Sequence, residues 1–108
     1  MYTVRGTTIR MTRGDTVLIQ VGMTRNGSAY TPQEGDVIRF AVKNQSYTGK
    51  VLIHKVIPNN TLILRLDPAD TRALSFGDYS YDIEITFSDG TVDTFIAEAK
   101  LTIAPEVE

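Results

Sequence analysis

Between Leu62 and Ile85 the chain reads LILRLDPADTRALSFGDYSYDIEI, two alternating runs joined by a helical turn, and few folds accommodate that combination. Leu62, Leu64 and Leu66 recur at every second residue. Tyr79, Tyr81, Ile83 and Ile85 do the same, separated by Ser80, Asp82 and Glu84, so each run has one apolar face as a half-buried strand requires. The join carries its own punctuation. Asp67 suits an N-cap, Pro68 the first helical position and Asp70 the third, and Gly77 follows as a stop, which predicts a short helix over Pro68 to Leu74.

The remaining chain is more of the same period. Thr3 to Thr12 is polar apart from Val4, Ile9 and Met11 and is expected at an edge; Arg13-Gly14-Asp15 then turns the chain into Val17, Ile19, Val21 and Met23, which alternate cleanly. Asn26-Gly27 is a strong turn pair, and the polar excursion from Gly27 to Gly35 carries Tyr30, expected to fold back over the open end of the core. Ile38, Phe40 and Val42 define the inner face of the next strand. Val51 to Ile57 is apolar except for His54 and Lys55, so its period does not say which face is buried. Ser88-Asp89-Gly90-Thr91 reads as a tight hairpin. The last strand, Val92 to Ile103, changes phase: Phe95, Ala97, Ala99, Leu101 and Ile103 share one side while Val92 and Ile96 take the other, which predicts a bulge or bend. About seven antiparallel strands and one helical turn make an all-β sandwich the expected architecture, one domain over residues 1–108.

Composition narrows the function classes. The chain has no cysteine, hence no disulfide, thiolate metal site or cysteine nucleophile. Its 13 acidic and 11 basic residues are dispersed, without the clustered Lys and Arg that phosphate neutralisation needs, so nucleic acid is not an expected partner. No apolar run approaches the ~20 residues of a membrane helix, and Met1 to Thr12 alternates where a signal peptide would be continuously apolar. The default location is the cytosol in which the chain is made.

The helical turn followed by Gly77, Tyr79 and Tyr81 resembles the corner of immunoglobulin-like domains, with Tyr79 in the corner position, and Asp67, Asp70, Gly77 and Tyr79 as the structural corner; Tyr81 stands where antibody domains have a cysteine. A longer run of phrases carries a second resemblance: RGDT from Arg13, GDVIRFAVK from Gly35, LIHKVI from Leu52, LDPADTRAL from Leu66, then GDYSYDIEI and SDGTVDTFI. In pattern and order these resemble small Ig-like proteins of bacteriophage and prophage tail or baseplate gene clusters, and the N-terminal sandwich modules of some baseplate proteins. LxPxDTxxL followed by GxYxYDI is its most specific part. The resemblance implies a virion structural or assembly role and no catalytic residues.

The residues that could carry chemistry have plainer uses. Arg13-Gly14-Asp15 spells an adhesive tripeptide but is a turn in its own right. Asp67, Asp70 and Asp78 could bring oxygens to a calcium ion, without the spacing of a dedicated loop. His54, the single histidine, has neither a ligand set nor a nucleophile to serve. Asp82, Glu84 and Asp93 read as a solvated face rather than paired acid and base.

What remains is Val51 to Ile57. A strand apolar on both sides can give only one to a core, so either Val51, Ile53 and Ile57 or Leu52 and Val56 should be exposed, covered by the Gly27 to Gly35 excursion or covered by another chain, and Val51, Ile53 and Ile57 are the candidate interface. The expected function is a non-enzymatic protein-interaction module without cofactor, assembling with its own copies or with a larger tail protein. The alternative is a carbohydrate- or host-surface-binding sandwich that uses Tyr30 and Tyr47 as an aromatic platform.

Overall fold

A computed structural model describes residues 2–25, 27–44 and 50–105. The described residues are all-β with one short helix. In chain order they form β1 (Tyr2–Arg5), β2 (Thr8–Thr12), β3 (Val17–Gln20), β4 (Thr24–Arg25), β5 (Ser28–Ala29), β6 (Val37–Lys43), β7 (Val51–Ile57), β8 (Ile63–Leu66), α1 (Pro68–Thr71), β9 (Gly77–Thr86) and β10 (Val92–Ala104). Six strands make one sheet in the order β1-β2-β10-β9-β6-β7. β3 and β8 pair with each other as a second layer, and β4 and β5 form a small hairpin.

The inner face of the large sheet is the alternation read from the sequence. Ile38, Phe40 and Val42 of β6 and Tyr79, Tyr81, Ile83 and Ile85 of β9 are buried together with Val17, Leu64 and Leu66 from the β3–β8 layer, giving one continuous apolar core. Burying such side chains is worth about 1.5–3 kcal/mol each, which is why a period-2 pattern decides which face turns inward.

Several expectations change. The first polar stretch is a hairpin rather than a single edge strand: Gly6, at φ +58°, reverses the chain between β1 and β2. β4 and β5 add a further hairpin, so there are ten strands among the described residues instead of about seven. Nor are all neighbours antiparallel. β2 runs parallel to β10, with Ile9 opposite Leu101 and Met11 opposite Ile103, so apolar residues from the two ends of the sequence meet in one ladder. The helix closes at Thr71, and Leu74 is reached by a turn in which its N–H donates to the Thr71 carbonyl at 2.9 Å.

The phase change in the last strand is two register shifts between β10 and β9, one between Thr94 and Ile96 and one between Ile96 and Ala99. Glu98 sits there at φ +52°, and its N–H donates to Asp82 Oδ1 at 2.7 Å. A carboxylate from the neighbouring strand thus takes up an amide that the bulge removes from the ladder.

Candidate protein-interaction surfaces

The corner from β8 through α1 into β9 is fixed by short-range polar bonds. Tyr79 donates its hydroxyl to the Ser75 carbonyl at 2.7 Å while its ring is buried, and Gly77, at φ +136°, makes the turn that puts it there. Asp70 accepts the Asp67 N–H at 2.7 Å, closing the first helical turn on itself. Lys55 of β7 points inward and reaches this turn, with Nζ 2.8 Å from Asp70 and 3.5 Å from Asp67. The hydrogen bond to Asp70 is the main reason the Lys55 ammonium holds its proton above the ordinary lysine range. Arg65 Nε lies 2.7 Å from Asp67 Oδ1, and this bond chiefly holds the Asp67 carboxyl below its ordinary range. Asp78 is matched to Thr102 Oγ1 at 2.7 Å and Lys100 at 3.8 Å. Asp67 and Asp70 therefore share Lys55, while Asp78 serves partners of its own. Among the described residues no group of three or more His, Asp or Glu gathers as a metal ion would require.

The tripeptide at Arg13 belongs to the same corner. Gly14 donates its N–H to the Oγ1 of fully buried Thr71 at 2.8 Å, and the Arg13 guanidinium lies 4.3 Å from the centroid of the Phe76 ring. An alternation pattern carries no trace of Thr71's role, because its partner is 57 residues away.

β7 divides differently from the expected interface. Ile53 and Ile57 are 4% and 1% exposed and belong to the core, so neither is available to a partner. Their burial follows from register: Ile57 lies opposite Ile38 and Ile53 opposite Val42, both inward residues of β6. Val51 is 44% exposed and Val56 59% exposed, His54 is exposed, and Leu52, the residue skipped where β7 slips against β6, is half-buried. The accessible apolar surface of this strand is Val51 and Val56. β7 has no neighbour on its far side among the described residues, and its single lysine is turned inward to Asp70, leaving no charged side chain to guard that edge between Val51 and Ile57.

At the opposite end, Tyr30 does fold over the core. Its ring meets Phe87 edge-on at 5.6 Å, and its hydroxyl donates to Asp36 Oδ2 at 2.5 Å. The Arg25 guanidinium covers Phe87 at 3.9 Å. Buried Asp36 also accepts the N–H groups of Gln33 at 2.8 Å and Ser88 at 2.9 Å, and its carbonyl accepts from Asn59 at 2.6 Å. The Tyr30 bond, first among these, pulls the Asp36 carboxyl below its ordinary value and raises the Tyr30 phenol. A ring held edge-on with its hydroxyl committed is not a flat platform for a sugar, and Tyr47 lies outside the described residues. Asp82 serves the bulge, and Glu84 stands 3.8 Å from Arg39 across the strand pair. Comparison with protein-family models, curated proteins and solved structures found no match.

Proposed function

We propose that this chain is an immunoglobulin-like β-sandwich acting as a structural protein-interaction module of a bacteriophage or prophage tail or baseplate. Its partner contact is the exposed edge of β7, through Val51 and Val56, made with another copy or with a larger tail protein. The observation that carries the reading is that edge: a seven-residue strand at the end of a six-stranded sheet, with exposed valines and its lysine withdrawn to α1.

Two further features support it. Two of the phrases that resemble tail-cluster proteins are consecutive in the fold, LDPADTRAL making the α1 corner and GDYSYDIEI the β9 strand it leads into. The order of the large sheet, with a parallel β2–β10 pair, a β3–β8 layer opposite and a tyrosine hydroxyl bonded back at the entry to β9, agrees with an Ig-like arrangement.

Deleting the gene from the phage or prophage and imaging the particles tests the assignment. Heads with absent or defective tails, restored by the wild-type chain and not by Val56→Lys, are the expected result. Normal, infective tails after deletion would sink it.

A further inference from the structure

The two layers do not close on both flanks. Where the β1–β2 hairpin faces β3, a half-open slot of about 170 Å³ runs into the core, with Val4, Gly6, Ile19 and Gly22 at its sides and Tyr81 and Ile96 among the residues lining it. Tyr81 and Ile83, which also line it, are each 3% exposed, so the slot reaches the centre of the molecule. Its size matches one aromatic ring or branched aliphatic side chain: a cavity of roughly 150 Å³ holds benzene.

The wall made by β3 says what kind of molecule brings that side chain. Val21 donates its N–H to the Leu62 carbonyl at 2.8 Å, toward the β8 side. In an antiparallel pair the residues alternate between turning both backbone groups to the partner and turning both away. Ile19 and Val17, opposite Leu64 and Leu66, therefore face β8, and Leu18 and Gln20 present their N–H and C=O groups on the free side. An independent contact agrees with this phase: the Leu18 carbonyl accepts the hydroxyl of Tyr2 from β1, across the gap. Tyr2 closes the lower half of the flank. Beside the slot, Gln20 offers one outward amide and one outward carbonyl, the spacing that an added strand uses.

We infer that β3 accepts an extended segment of a partner protein as an additional strand beside Gln20, with one bulky apolar side chain of that segment seated in the slot. Backbone pairing supplies the alignment and the pocketed side chain supplies the selectivity, as in strand addition to other sheet edges. This surface is separate from the β7 edge. It rests only on the reading that the chain works by protein contact, and not on which assembly it serves.

The test uses the whole isotope-labelled chain and a capped seven-residue peptide of alternating threonine and valine with phenylalanine at its centre. Amide resonances of Ile19 to Gly22, Val4 and Ile96 are expected to move on titration. Replacing the central phenylalanine with alanine should weaken binding about tenfold. Gln20→Pro removes an amide that points away from β8, so the ladder survives while the added strand loses its donor and binding is lost. Should that variant fail to fold, Ile96→Phe, which fills the slot from within, must block the peptide instead. Shifts centred on β7, binding indifferent to Gln20→Pro, or toluene occupying the slot while the peptide leaves these resonances unmoved would each overturn the inference. None of those outcomes bears on the tail assignment, which the deletion experiment decides separately.

Discussion

The two flanks of the molecule are built to different standards. On one, Lys55 crosses from β7 to Asp70, Thr71 holds the turn at Gly14, and Leu66 is fully buried. On the other, β1 has all four residues exposed, and Tyr2 reaching Leu18 and Tyr81 reaching the Thr7 carbonyl are the side-chain pins that hold the hairpin in place. Short-range partners close the first flank, since Asp67, Asp70, Ser75 and Tyr79 lie within a dozen residues of one another and fix the turn before the rest of the chain is consulted. The second depends on contacts 16 and 74 residues apart, and there the core stays open. The first flank has long-range ties as well, Gly14 to Thr71 across 57 residues and Lys55 to Asp70, but there they act on a turn that its own neighbours have already ordered.

Truncating each flank tests the contrast most severely. Leu66→Ala should lower unfolding free energy by about 3 kcal/mol, whereas Ile96→Ala, on a wall that already borders a void, should cost only about 1 kcal/mol in the same urea titration. Equal losses would mean that the slot is as tightly packed as the corner. The polar link is the next in size. Thr71→Val keeps the volume and removes the acceptor of the Gly14 N–H, for an expected loss of about 1.5 kcal/mol. An unchanged midpoint would show that the corner holds without its link to the first turn.

Titration separates the corner from the Tyr30 end more gently. The Asp36 carboxyl is held below its ordinary 3.8, so its stabilisation is complete above that value and disappears as pH falls through the depressed one. Lys55 has the opposite sign. Its raised value means the stabilisation is complete below its ordinary 10.5 and disappears as pH rises beyond it. Asp36→Asn should therefore flatten the acid limb of a stability profile and, by removing the carboxylate that raises Tyr30, soften the alkaline limb as well, while Lys55→Met should act chiefly on the alkaline limb and, through Asp67, weakly on the acid one. An acid limb left unchanged by Asp36→Asn would show that the bonds its carboxylate accepts from Tyr30, Gln33 and Ser88 carry no stability.

What could be read from the sequence follows the same division. Strict alternation placed Ile38, Phe40, Val42 and the β9 tyrosines and isoleucines on the inner face, and the capping residues placed the helical turn, because both depend on neighbours a few positions away. The phase change in the last strand also announced its bulge. β7 was ambiguous by period alone, and only its register against β6 chooses Ile53 and Ile57 for the core. The inward turn of Lys55 has no local sign, because its counter-ion, Asp70, is met only after the chain has turned back. Gly6 carried the hint that the first stretch reverses, but one glycine in a polar run does not distinguish a hairpin from a kink. The slot had no local signature, being the space between segments whose separation no pattern encodes.

The parallel pairing of β2 with β10 also bears on how the protein is made. Ile9 and Met11 leave the ribosome ahead of the neighbours that bury them, Leu101 and Ile103, which are translated about ninety residues later. At typical synthesis rates of roughly 5–20 residues per second, those apolar side chains wait several seconds without their ladder. During that interval the nascent chain is a natural client for chaperones, and the large sheet is completed only once β10 has been made.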